Sequence, residues 1–258
     1  MGKKISTILM VVLLRIFLGS GATILLALRE YQENDRLYAE GAMTYTRAQT
    51  AAAEETGQPG ERTIAPIVVD FDALAAANED AVGWIYCEGT KIDYPVMQGE
   101  DNDFYLHHNY IGESSAAASI FVDANNRPGF ADANTIIYGH HMRDGSMFAG
   151  LDEWAAQEYY EDHPVMWLLT PEQDYRIDLF AGYTTSAYAD TYLIFHENDD
   201  ALSTYLADCI AQSDFSSGLQ PDGSGRYVVL STCAYVFDNA RYVLHGELVP
   251  VDSAGGTA

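Results

Sequence analysis

A cysteine and an arginine lie eight residues apart near the end of the chain, and each borders an apolar run typical of a β-strand. Cys233 follows residues 227–232, and Arg241 precedes residues 242–249. A hairpin between these runs would place the thiol and the guanidinium at one rim of a sheet. A guanidinium there could favour the thiolate or bind a developing oxyanion. The alternative is that Cys233 is a small buried core residue.

Two histidines follow a third apolar run. Gly139 separates residues 135–138 from His140 and His141, and a histidine at a strand end is a candidate partner for the thiol. Together with His107 and His108 they also raise the possibility of a zinc site. Adjacent residues on a strand point in opposite directions, and none of the usual zinc spacings occurs. We therefore expect no metal and no cofactor.

The charge of the chain limits its partners. The 258 residues carry a formal net charge of −25, and all 38 acidic residues lie after Leu28. Nucleic-acid binding is excluded in practice, because it needs a basic face. Such an acidic surface would attract cations or amines.

The N-terminus predicts export. Lys3 and Lys4 precede an apolar stretch over residues 5–28 that is interrupted by Arg15. Its length suits a single transmembrane helix, and the lysines favour a cytoplasmic N-terminus with the rest of the chain outside. A cleaved signal peptide is the alternative. We therefore expect a single-pass protein of the cell membrane with an extracellular domain.

The remaining pattern predicts one β-rich domain. Residues 1–28 are interpreted as the anchor, 29–69 as a helical stalk and linker, 70–250 as the domain and 251–258 as a flexible tail. We expect helices over 29–56 and 70–80. Eight short β-type runs follow Gly83 and favour a sandwich or a closed barrel. Helical inserts are expected near 147–158 and over 201–212.

The residues quoted above resemble a known family. Residues 230–233, followed by 239–248, are similar to the sortase signature, in which a Thr-Cys dipeptide closes one strand and an arginine opens the next. Tyr138, Gly139 and His140 resemble the segment with the catalytic histidine. Residues 104–110 and 119–123 resemble class B members in particular.

This resemblance implies a fold and an activity. The fold is a mainly β, closed eight-stranded barrel with N-terminal helices and a long helix before the cysteine-bearing strand. The activity is that of a membrane-anchored cysteine transpeptidase. It would cut a C-terminal sorting motif of exported proteins at a threonine carbonyl, form a thioacyl-enzyme, and pass the acyl group to an amine of the cell-wall peptide.

Roles for individual residues follow from the resemblance. Cys233 would be the nucleophile, His140 the acid and base, and Arg241 the oxyanion or substrate clamp. Ser231, Thr232 and Tyr188 are further predicted to contact the substrate. Two other functions stay open: a hydrolytic cysteine peptidase with the same site, and a non-enzymatic, membrane-anchored surface domain. The acceptor could also be a lysine of another protein, and a Cys87–Cys209 disulfide is undecided.

Overall fold

A computed structural model describes residues 2–50 and 63–251. The predicted tail beyond Val251, and the end of the helix expected over 29–56, lie outside these residues. The domain boundaries proposed from the sequence stay predictions.

The N-terminal helix reaches the domain and packs against it. Helix α1 (Gly2–Tyr45) ends at Tyr45, so the helix expected over 29–56 is not continuous across its described part. Strand β1 (Thr46–Ala48) follows directly and pairs antiparallel with β2 (Ile67–Val69). The three β-branched residues of β2 favour this pairing. The Tyr38 hydroxyl of α1 donates to the carbonyl of Ala118, which fixes the last turns of the helix on the domain.

The transmembrane segment predicted over residues 1–28 falls within α1. Among the residues that the structure describes, no helix combines the length and the apolar character needed to cross a membrane.

Eight strands form a closed barrel, as expected. They are β3 (Ala81–Tyr86), β4 (Asp93–Met97), β5 (Ile120–Val122), β6 (Asn134–Tyr138), β7 (Val165–Leu169), β8 (Asp174–Ser186), β9 (Arg226–Cys233) and β10 (Ala240–Val251). The order around the barrel is β3-β4-β5-β6-β9-β10-β8-β7, and β7 pairs again with β3. Only the pairs β4–β5 and β6–β9 are parallel among these barrel strands.

Within residues 63–251, three further α-helices precede or connect the barrel strands. They are α2 (Phe71–Ala77), α3 (Gln157–Asp162) and α4 (Asp200–Gln212). The helix expected over 70–80 ends early, because Asn78 is extended. The insert expected near 147–158 is instead a 3-10 turn, Ala149–Ala155, followed by α3, because Ala156 between them is extended. The long helix before the cysteine strand is confirmed as α4, whose first turn is capped by Asp199.

Strand β9 separates two apolar clusters. Val228 and Leu230 belong to the main core cluster, whereas Tyr227 and Val229 pack in a second cluster with residues of α4. Successive side chains of a strand point to opposite faces, so a strand that is covered on both faces reads as a continuous apolar run. Burial on both faces holds β9 rigidly, which fixes the position of Cys233 at its end.

Candidate active site

The last two strands bring the thiol and the guanidinium together. Cys233 on β9 lies directly opposite Arg241 on β10 in the antiparallel register. The amide of Ala234 donates to the carbonyl of Ala240 over 2.9 Å, which holds the two strand ends together. The Arg241 Nη1 donates to the Ala240 carbonyl, also over 2.9 Å. Both side chains are partly exposed, so they are accessible to a substrate.

Because β6 pairs in parallel with β9, His140 just after the end of β6 lies at the same rim of the barrel as Cys233. Tyr138 at the end of β6 pairs with Ser231, and the next amide, of Gly139, donates to the Ser231 carbonyl over 3.0 Å. His140 follows at once. Its Nε2 lies 2.9 Å from the Leu106 carbonyl, and its own carbonyl accepts from the Phe148 amide over 3.0 Å. His140 is therefore held both by its ring and by its backbone.

These three residues line one pocket of about 360 Å³. The full lining is Asn102, Leu106, Phe121, Tyr138, Gly139, His140, Ala187, Tyr192, Ser231, Thr232, Cys233 and Arg241. A nucleophile, a histidine and a fixed cation around one cavity can carry out acyl transfer.

The predicted substrate contacts separate into two groups. Ser231 and Thr232 line the pocket but are almost fully buried. The Ser231 hydroxyl lies 2.8 Å from the Tyr192 hydroxyl, whereas the buried Thr232 hydroxyl has no partner among the described residues. Tyr188 does not line the pocket and is 84% exposed.

A buried carboxylate organises one wall of the pocket. Asp123 Oδ2 accepts hydrogen bonds from the Tyr138 hydroxyl over 2.8 Å and from the Asn102 side chain over 3.0 Å. Burial raises the pKa of Tyr138, and the negative charge of Asp123 raises it further. The phenol therefore stays protonated and donates to Asp123. Asn102, Leu106 and Tyr192 were not predicted from the sequence, because Asn102 and Leu106 lie in loops and Tyr192 ends a single 3-10 turn, Asp190–Tyr192, too short to show a pattern.

The part of the pocket lining that contains Tyr192 is tied to β6 by a polar cluster. Asn134 donates to the Leu193 carbonyl over 2.8 Å and accepts from the Phe195 amide over 2.6 Å. Asp132, with a fully buried side chain, accepts from Arg127 and lies 2.8 Å from His196 Nδ1. Burial alone would raise the pKa of Asp132, but hydrogen bonds from Asn126, Arg127 and His196 outweigh it and lower the pKa to about 2. Together these bonds hold the loop that carries Tyr192.

The other two cysteines are chemically different from Cys233. Cys87 and Cys209 are buried, and all three thiols are free, so the Cys87–Cys209 pairing left open by the sequence is absent here. Burial raises the pKa of Cys87 to about 12 and that of Cys209 to about 11. Both thiols are therefore protonated at neutral pH, and a thiol reacts as its thiolate. Cys233 is the accessible thiol.

The histidines considered as zinc ligands do not converge. Within residues 2–50 and 63–251, no group of three or more His, Cys, Asp or Glu side chains is placed to hold a metal ion. His108 instead stacks on Phe104 with a ring separation of 4.1 Å.

Comparison with known proteins agrees with this geometry. A model of the sortase domain matches residues 85–249. Sortase B of Listeria monocytogenes is 37% identical over 246 residues, which are 93% of this chain and 95% of that protein. The crystal structure of sortase B from B. anthracis in complex with AAEK1 has a TM-score of 0.72 and 32% identity, covering 86% of this chain and 99% of that one. A Staphylococcus aureus sortase B–substrate complex has a TM-score of 0.73 and 27% identity, covering 87% and 100%.

A closed barrel with cysteine, histidine and arginine at one rim, together with these matches, defines the class: the chain belongs to the sortase family of cysteine transpeptidases. Within the family it is most similar to class B, as the segments around Leu106 and Phe121 predicted. Sortases are cell-surface enzymes of Gram-positive bacteria.

Proposed function

We propose that this transpeptidase cuts a C-terminal sorting motif of exported proteins at a threonine carbonyl and transfers the acyl group from Cys233 to an amine of the cell-wall peptide. One observation carries the proposal: the accessible thiol, His140 and Arg241 line the same pocket. The buried Cys87 and Cys209 offer no alternative nucleophile.

The first half of the reaction forms a thioester. The Cys233 thiolate attacks the threonine carbonyl, and the carbonyl oxygen becomes an oxyanion beside the Arg241 guanidinium, which is charged at any working pH. The carbon–nitrogen bond then breaks. Protonated His140 donates its proton to the leaving amine, which leaves the acyl group on sulfur and the histidine neutral.

The second half reverses these roles. Neutral His140 accepts a proton from the incoming amine as its nitrogen attacks the thioester carbonyl. The carbon–sulfur bond breaks and the thiolate is restored. Arg241 again holds the charge on the carbonyl oxygen. One amide bond is exchanged for another, so the reaction needs no external energy source, oxidant or cofactor.

The pocket walls suit the segment that precedes the threonine. Leu106, Phe121, Tyr138 and Tyr192 provide an apolar lining, and the partly exposed Asn102 side chain provides a polar edge. A cavity of about 360 Å³ is the size of a site for a few residues rather than a folded domain. Attachment to the membrane through residues 1–28 stays a prediction from the sequence.

Product analysis tests the proposal. The full chain is incubated with a library of threonine-containing peptides, with and without triglycine amide as the acceptor, and the products are identified by mass spectrometry. We expect cleavage after threonine and an amine adduct, both lost in Cys233→Ala and retained in Cys209→Ala. Cleavage that yields only the free acid, even at high amine concentration, would favour the hydrolytic peptidase. Equal activity of the Cys233→Ala variant would overturn the proposal.

A further inference from the structure

A second and larger cavity lies on the other side of the histidine pair. Its volume is about 910 Å³, and its lining includes His141 and Tyr235. His140 and Cys233 line the smaller pocket, so each cavity receives one of two neighbouring histidines. The rings of His141 and Tyr235 meet edge to face at 5.3 Å. The two cavities therefore share the segments that carry the reactive groups.

This cavity gathers positive charge on a very acidic protein. Lys91 and Arg143 both line it and are both exposed, and Lys91 is the only lysine after residue 4. Among residues 2–50 and 63–251, no carboxylate forms an ion pair with either side chain. Unpaired cations are unexpected where acidic residues outnumber basic ones by 38 to 13.

The lysine is held in place by the backbone rather than by an acid. Its Nζ donates to the Asp144 carbonyl over 2.6 Å, while the Asp144 carboxylate accepts from the amide and hydroxyl of Ser146 over 2.9 and 2.6 Å. The Asp144 carboxylate is therefore occupied by hydrogen bonds within its own turn, and the Lys91 ammonium keeps donors that are free to bind a ligand. Glu153, the one carboxylate in the lining, interacts with the Tyr159 hydroxyl.

We infer that this cavity is the acceptor site and that Arg143 and Lys91 bind a carboxylate carried by the acceptor peptide. The inference rests on the proposed transpeptidation. The acidic surface attracts the acceptor's ammonium group from a distance, and the two cations orient the peptide by its carboxylate once it has arrived. The substrate class is thus a short peptide that carries both a free amine and a free carboxylate.

Two acceptor peptides that differ only in a carboxylate measure how much this group contributes to acceptor binding. Triglycine and triglycine amide differ only in that group, and each is titrated against the full chain with the donor peptide that the wild type cleaves. The measured quantity is the KM of the amide divided by the KM of the acid. We expect this ratio to fall about fivefold to tenfold in Arg143→Gln, the range for one charge-assisted hydrogen bond near the surface. Lys91→Gln should lower it in the same direction.

A charge control separates this effect from the overall field of the protein. Arg47→Gln removes one exposed positive charge from β1, outside the cavity lining, and should leave the ratio unchanged. A ratio that is the same in the wild type and in Arg143→Gln would overturn the inference. So would an equal fall in Arg47→Gln, because the effect would then reflect net charge alone.

Equilibrium binding keeps the inference testable without catalysis. Triglycine binding to Cys233→Ala is followed by ligand-observed NMR, and adding Arg143→Gln should weaken it about fivefold. If binding depends on Arg143 but the wild type transfers no acyl group to an amine, the binding site is supported and the proposed transpeptidase function is rejected. If triglycine binds equally well with and without Arg143, the proposed binding site is rejected, whether or not the wild type has transpeptidase activity.

Discussion

At the scale of single residues, Arg241 has the role of stabilising negative charge on the substrate. The guanidinium lies opposite Cys233 in the β9–β10 register. Burial raises the pKa of the neighbouring Tyr192, and the Arg241 charge partly offsets that rise. Arg241 and Tyr192 line the same pocket, so the positive charge lies beside the place where an oxyanion would form.

Removing this charge should slow the reaction far more than it affects the fold. We predict that Arg241→Ala lowers kcat/KM by about 100-fold or more, in the range measured for the loss of one oxyanion donor. Arg241→Lys should recover part of the loss, because it keeps the charge but not the planar donor pair. Steady-state kinetics check this, with Arg226→Ala at the far end of β9 as the control. Similar losses in Arg241→Ala and Arg226→Ala would contradict the assigned role.

The reactive residues could be predicted from their types and spacing, but most of the residues that line the pocket around them could not. Cys233 and Arg241 border recognisable strands, and a hairpin is the simplest connection between them. His140 was identified by its strand end and by resemblance, but its neighbour β9 is distant in sequence, so local pattern could not show the parallel pairing. Leu106 and Tyr192 carry no periodic signal. The sequence instead suggested Tyr188 as a substrate contact, but Tyr188 does not line the pocket.

At the scale of elements, the end of β6 must approach its neighbours closely to place His140. A Cβ added to Gly139 would lie 2.5 Å from Ile120 Cδ1 and 2.6 Å from Phe148 Cδ2. Both atoms belong to fully buried side chains, which cannot move without repacking. The glycine is therefore required by space at this position.

Gly139→Ala should affect both stability and catalysis. We predict a loss of about 1–3 kcal/mol in the free energy of unfolding, typical of overpacking a core, and a lower kcat because the strand end carries His140. Denaturant unfolding and kinetics measure the two effects. Gly150→Ala, where the nearest atom to an added Cβ lies at 3.7 Å, should leave stability unchanged. A fully stable Gly139→Ala variant would show that the contact relaxes easily.

The loop that carries Tyr192 depends on the buried Asp132. Its pKa of about 2 is below the usual value, so the folded state is stabilised when the group is ionised. This contribution is present above about pH 4 and is lost as the pH falls towards 2. We predict that Asp132→Asn lowers the free energy of unfolding by about 2 kcal/mol at pH 7, and that the difference shrinks below pH 4.

Unfolding curves at several pH values test this dependence. Asp208→Asn is the matched control, because it makes the same charge change at an exposed position on α4 and should show little difference at any pH. A stability difference for Asp132→Asn that stays constant from pH 7 to pH 2 would contradict the electrostatic explanation.

At the scale of the whole molecule, the strand pattern favours a sandwich or a closed barrel, and only the family resemblance implies that the barrel is closed. Eight apolar runs predicted the strands, whereas the order in which β6 meets β9, and β7 meets β3, depends on contacts between distant segments. The two-stranded sheet of β1 and β2 was not predicted, because its three-residue strands are too short for a pattern. The helix expected over 29–56 is interrupted by the same short sheet, because α1 ends at Tyr45 and β1 begins at Thr46.

The net charge of −25 predicts a salt effect on the second substrate. We expect the KM for triglycine amide, a cation in solution, to rise several-fold between about 10 and 300 mM salt, because added ions screen the attraction. Hydrolysis of the acyl-enzyme by neutral water is the internal control and should change little. A KM that is independent of salt would show that the acidic surface does not recruit the amine.

The most direct test of the central claim is the intact mass of the full chain after brief incubation with the threonine-containing peptide library and acid quenching. We expect one added acyl group per molecule, located on Cys233 by proteolytic mapping and released by triglycine amide. The adduct should be absent in Cys233→Ala and present in Cys209→Ala. Peptide cleavage by the wild type that persists in Cys233→Ala, with no adduct on either protein, would contradict the account.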